Sequence, residues 1–168
     1  MGTLELCSGN ILNFLKGKDI IVNSANKYMK FGSGVCGAVY KAAGVDLLEQ
    51  YCENHFQELM KVNEVRITPG FALGMDILHI FCPKRFESKF PIKELLHSYE
   101  KLFEQADEKN YKNMVSVSLG TGHHSYKHID VAEPVMQKLT ELTEKYHMNF
   151  TFVLPNAEIL GLYESMRK

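Results

Sequence analysis

Two asparagines, in Asn23-Ser24-Ala25-Asn26, close the apolar run Ile20-Ile21-Val22 and lead through Lys27 to Phe31 into Gly32-Ser33-Gly34-Val35-Cys36-Gly37-Ala38-Val39. The order reads as buried strand, glycine-rich loop and helix start. A helix N-terminus carries unpaired N–H groups and partial positive charge, which suits a phosphate, and Gly32 and Gly34 have no side chain to hold a diphosphate away from the main chain. The two carboxamides then meet what lies beyond the phosphates. Local capping of the loop is the competing role, expected for Asn23 more than for Asn26. A second glycine loop, Leu119-Gly120-Thr121-Gly122-His123-His124, follows an apolar run and offers imidazoles to phosphate or sugar hydroxyls. Adjacent histidines without carboxylate or cysteine partners make a poor cage, so no metal is expected there. Cys36 acts as a nucleophile only as a thiolate, and an ordinary thiol with a pKa of about 8.5 is a few per cent ionised at neutral pH. It is read as a small buried helix residue that shapes the pocket.

The elements that must position these residues follow from periodicity. Strands are expected at Leu4–Cys7, Asp19–Val22, Glu64–Thr68, Ile77–Phe81, Met114–Ser118 and Phe150–Leu154. Asp19–Val22 is nearly all apolar, the pattern of a strand covered on both faces. Helical spacing runs from Gly34 through Val39 and Ala43, and again after Gly44 through Leu47, Leu48 and Tyr51. Pro91 opens an amphipathic helix with Ile92, Leu95, Tyr99, Leu102, Phe103 and Ala106 on one face. Ile129–Tyr146 is a further helix, in which Pro134 is expected to sit in the first turn or displace the start. A short helix follows Asn156 and ends near Met166. Strands alternating with helices predict an α/β fold, a three-layer α/β/α sandwich on a mostly parallel mixed sheet, with ligands outside the carboxyl ends of the strands. His79, inside an apolar strand, is expected to be hydrogen-bonded internally. Tyr126 is left between closing over a ligand and packing against the sheet edge.

At 168 residues and 45% apolar composition the chain suits one domain, residues 1–168. A net charge of -1 gives no general basic field, so a nucleic-acid partner is not expected, although Lys84-Arg85 and Lys89 form a local basic cluster. No apolar run approaches the ~18 residues of a membrane span, and none of the sequence reads as a leader, so a cytoplasmic protein without membrane attachment is expected. Cysteines at 7, 36, 52 and 82 have neither zinc-site nor disulfide-scaffold spacing and are expected to be reduced.

Taken in order, these residues resemble a known family. Asn23-Ser24-Ala25-Asn26 with Gly32-Ser33-Gly34-Val35-Cys36-Gly37-Ala38-Val39 and Ala42-Ala43-Gly44 resembles the first ligand loop and helix of macrodomains, the ADP-ribose-binding module. Gly9-Asn10-Ile11, Ile77-Leu78-His79 with Pro83, and Leu119-Gly120-Thr121-Gly122 before Tyr126 match further along. The resemblance implies that Gly32, Ser33, Gly34, Val35 and Cys36 flank the diphosphate from one side. Ser118, Leu119, Gly120, Thr121, Gly122, His123 and His124 would flank it from the other. Asn10 and Ile11 would face adenine, Leu154 with Pro155 and Asn156 would wall the adenine and proximal ribose, and Asn26 would reach the distal ribose, with Ala25 also among the ligand-binding residues.

Two positions depart from the family pattern. Asn10 stands where aspartate usually accepts a hydrogen bond from the adenine amine, and a neutral acceptor is weaker. Cys36 stands where many cellular hydrolases of the family place a water-activating aspartate. Some viral members with alanine there still remove ADP-ribose, and the run Lys27-Tyr28-Met29-Lys30-Phe31-Gly32 resembles theirs, which makes Asn26 the candidate catalytic residue. The resemblance implies ADP-ribose or an ADP-ribosylated protein as partner and no cofactor. The expected function is binding of ADP-ribose with hydrolysis of its derivatives at the distal ribose, such as O-acetyl-ADP-ribose, ADP-ribose phosphate or modified acidic side chains. The alternatives are an ADP-ribose reader without turnover and a general nucleotide or poly-adenylate binder.

Overall fold

The computed structural model describes residues 1–167, built around one six-stranded sheet. Its strands are β1 (Thr3–Ser8), β2 (Ile20–Ser24), β3 (Val65–Thr68), β4 (Asp76–Ile80), β5 (Asn113–Val117) and β6 (Asn149–Leu154). The helices are α1 (Gly34–Ala43), α2 (Val45–His55), α3 (Pro91–Glu108), α4 (His128–Tyr146) and α5 (Ala157–Ser165). In the sheet the order is β1-β6-β5-β2-β4-β3. The β3–β4 pairing is antiparallel; β1–β6, β5–β6, β2–β5 and β2–β4 are parallel. The result is the three-layer α/β/α architecture of a mixed sheet.

Strand alternation assigns each side chain to a layer. Along β2, Ile20 and Val22 join the cluster built on α3, α4 and Tyr163 of α5, while Ile21 joins the opposite cluster with Val39 and Tyr40 of α1 and Leu48 of α2. Both faces of β2 are therefore covered, which is why Ile20, Ile21 and Val22 are fully buried. Pro91 takes the first turn of α3, where its missing N–H costs nothing. Pro134 corrects an expectation: α4 begins at His128, so the proline lies in its second turn and leaves the Asp130 carbonyl without its helical donor. Apolar packing of Val131, Val135 and Leu139 against the sheet holds the helix across that gap.

This topology decides where a ligand can lie. Because β1, β6, β5, β2 and β4 are mutually parallel, their carboxyl ends share one edge of the sheet. The loops after them emerge in that spatial order, about 4.8 Å apart per strand. Loops far apart in sequence thereby become neighbours. Among the described residues no helix is long and apolar enough to cross a membrane.

Candidate functional site

A cleft of about 950 Å³ runs along that edge. At one end Gly9, Asn10 and Ile11 after β1 face Val153, Leu154 and Pro155 of the β6 end. In the middle, Ser118, Gly120, Thr121 and Gly122 after β5 oppose Gly32 to Cys36 before and within α1. At the other end lie Ala25, Asn26, Lys27 and Tyr28 after β2, and Phe81 and Lys84 after β4, with His123 and His124 beside them. Among the described residues no aspartate or glutamate lines the cleft, whereas Lys27 and Lys84 do. The site therefore favours an anion and lacks a carboxylate base.

The middle of the cleft presents main-chain N–H groups. Ser33 is the N-cap of α1, yet its side chain makes no cap bond. Instead its Oγ lies 2.9 Å from His123 Nε2, joining the two glycine loops across the cleft. The first-turn N–H groups of α1 are thereby left for an external acceptor. Gly34 and Gly120 have φ of 59° and 76°, the left-handed region that glycine enters without strain.

Asn26 is held by its own loop. Its Oδ1 accepts from the N–H of Tyr28 at 3.0 Å and of Lys30 at 3.3 Å, while Nδ2 donates to the Lys30 carbonyl at 2.7 Å. From α2, Glu49 accepts from the N–H of Phe31 at 2.8 Å, a second clamp on the same loop. Both lone-pair positions of the carboxamide oxygen are occupied, so Asn26 is fixed in place rather than free to draw a proton from water.

Beneath the loop, Cys36 is buried among donors. Asn23 Nδ2 lies 3.8 Å and Asn26 Nδ2 3.9 Å from its sulfur, and the thiol points to the Lys30 carbonyl at 3.6 Å. Burial pushes its pKa up, more than the Asn23 amide and neighbouring main chain pull it down, and the Glu49 charge raises it further. The thiol stays protonated at neutral pH. Asn23 also donates to His79 Nδ1 at 3.0 Å, which sets the tautomer, so His79 Nε2–H donates to Thr68 Oγ1 at 2.9 Å. The internal bonding expected for His79 is present.

Two residues expected at the ligand lie outside the cleft lining. Leu119, two residues beyond the end of β5, turns into the α3/α4 layer, the face opposite that of Val115 and Val117, where it is fully buried and its N–H is taken by Tyr99 Oη at 2.8 Å. Asn156 caps α5 by accepting from the Ile159 N–H at 2.9 Å. Asn10 lines the cleft, but its Oδ1 caps the turn Ile11–Phe14 by accepting from Leu12 N–H at 3.0 Å. Tyr126 packs inward, with its hydroxyl donating to the Pro91 carbonyl at 2.8 Å. Phe81, Val117, Val153 and His128 line the cleft without having been singled out from the sequence. The first three stand at or just beyond carboxyl ends of strands, a positional signal; His128 becomes visible only through the loop that folds it back, where its Nδ1 lies 2.9 Å from Tyr163 Oη.

A family model described as Macro domain matches residues 22–135, well over half of the chain. The chain belongs to the macrodomain family. A protein of Escherichia fergusonii named O-acetyl-ADP-ribose deacetylase is 26% identical over 153 residues, covering 88% of this chain and 86% of that one. The Oceanobacillus iheyensis macrodomain with ADP is similar at a TM-score of 0.87 and 28% identity, over 98% of this chain and 90% of that one. A point variant of that protein with ADPR also has a TM-score of 0.87, at 27% identity over 98% of this chain and 91% of that one.

Thiol chemistry offers a direct check on this macrodomain's site. Cys36, Cys52 and Cys82 are buried, and burial pushes the pKa of Cys52 up to about 11 and of Cys82 up to about 12. Cys7 is half-buried and also raised, mainly by burial. Titration of the folded macrodomain with a thiol-reactive disulfide at pH 7.5 is expected to modify Cys7 slowly and the other three only after unfolding. Rapid modification of Cys36 would show a thiolate at the helix start.

Proposed function

We propose that this macrodomain binds ADP-ribose along the cleft and hydrolyses derivatives of it at the distal ribose. Adenine lies between Ile11 and Leu154 at the β1/β6 end, the diphosphate between the α1 N-terminus and Gly120 to Gly122, and the distal ribose near Asn26 and His124. The observation that carries this reading is the coincidence of the two glycine loops with the uncapped start of α1 at the middle of the cleft. Donors without side-chain obstruction converge there, with an apolar wall on one side and a polar chamber on the other. Asn26 acts as a positioning residue, holding loop 27–30 against the distal ribose. The name O-acetyl-ADP-ribose deacetylase among the relatives supports an acyl ester as the bond cleaved and O-acetyl-ADP-ribose as substrate.

A reader without turnover is the second reading, favoured by the protonated Cys36 and the absence of any lining carboxylate. Both readings require the distal ribose to be recognised. Calorimetry with ADP-ribose and with adenosine monophosphate is expected to show at least tenfold tighter binding of ADP-ribose, about 1.4 kcal/mol. Equal affinities would overturn both. Mass spectrometry of O-acetyl-ADP-ribose incubated with the protein then separates them: deacetylation supports the hydrolase, and an intact ester with tight ADP-ribose binding establishes the reader.

A further inference from the structure

A hydrolase needs a base, and the obvious positions do not supply one. Cys36 is protonated, both lone-pair sites of Asn26 are taken, no carboxylate among the described residues lines the cleft, and His123 faces Ser33. His124 differs. Its Nδ1 lies 3.1 Å from the Pro83 carbonyl, and a carbonyl only accepts, so Nδ1 carries a proton and, in the neutral ring, Nε2 is the nitrogen with the lone pair. Among the described residues Nε2 has no partner.

The ring is also held in place. Phe81 meets it edge-on, with centroids 5.9 Å apart at 84°, and the His124 carbonyl accepts from Arg85 N–H at 2.9 Å. Three contacts from the segment after β4 therefore fix the main chain, ring plane and tautomer of a residue belonging to the loop after β5. An imidazole oriented by a hydrogen bond at one nitrogen, with the other nitrogen open, is the arrangement of a general base. Phe81, Lys84 and His124 line the β4 end of the cleft, beyond the glycine loops.

We propose that His124 Nε2 is the general base for hydrolysis of an acyl ester of the distal ribose. This rests on the hydrolase reading above. Nε2 takes a proton from a water whose oxygen bonds to the acyl carbon. The bond from that carbon to the ribose oxygen then breaks, and the imidazolium returns the proton to the departing ribose oxygen. The products are a carboxylic acid and ADP-ribose.

The test measures O-acetyl-ADP-ribose turnover and ADP-ribose affinity in the wild type, His124→Phe and His124→Ala. The phenyl ring keeps the packing on Phe81 and removes both nitrogens. Each variant is expected to lose about 100-fold or more in kcat, a loss larger than any change in its ADP-ribose affinity. Added imidazole is expected to restore part of the rate to His124→Ala. Wild-type rates in both variants, or a loss that imidazole does not restore, overturns the assignment and leaves the substrate's own phosphate to activate water. A wild type that binds ADP-ribose tightly without turnover overturns the hydrolase reading and this base together.

Discussion

Gly37→Ala is expected to weaken ADP-ribose binding tenfold to a hundredfold while lowering the melting temperature by only a few degrees. A Cβ on Gly37 would stand 2.4 Å from the main-chain oxygen of Gly32, far inside van der Waals contact. Either α1 or the loop must move. The helix is locked by Val39, Tyr40 and Ala43, all fully buried, whereas the loop is held chiefly by Asn26 and Glu49. Relief therefore comes from the loop, which lifts away from the helix start and takes the phosphate-facing main chain with it. Overpacking of this kind costs about 1–3 kcal/mol, and here much of that falls on the bound state. Calorimetry beside thermal unfolding reads the split. Unchanged affinity would show that the loop's position against α1 is not part of the site.

Acid is expected to destabilise the protein through His79. Burial, with a smaller contribution from the Arg66 charge, lowers its pKa from 6.5 to about 3. Between these values the unfolded chain binds a proton that the native state does not, so stability is fully present above pH 6.5. It is lost as the pH falls below that value, down to about 3. At pH 4.5 the loss is about 3 kcal/mol, and it grows further as the pH falls toward 3. Urea midpoints at pH 7.5 and pH 4.5 are expected to separate widely for the wild type and less for His79→Gln. A wild-type separation no larger than the variant's would sink the claim. The same proton reaches the site: a charged His79 turns Nδ1 into a donor facing the Asn23 amide, which also contacts Cys36.

The fold was legible because its signals are local. Ile20-Ile21-Val22 has the composition of a strand covered on both faces, and Leu95, Tyr99, Leu102 and Ala106 recur at the helical period whatever else the chain does. Pro134 misled because a proline's cost is local while its tolerance is tertiary. The apolar face of α4 outweighs one lost hydrogen bond.

By itself the sequence determined which loops carry glycine and which strands are buried, since these follow from side-chain size and period. Only the tertiary structure decided what each polar atom does. Asn10, Asn26 and Asn156 have the same functional group, yet all three spend their oxygens on nearby main-chain N–H groups. Leu119 points into the core although its loop neighbours face the cleft. His124 became a candidate base because Pro83, 41 residues away in the chain, takes one of its nitrogens. A hydrogen-bond partner across the fold is set by strand order and register, and no spacing within either segment encodes it.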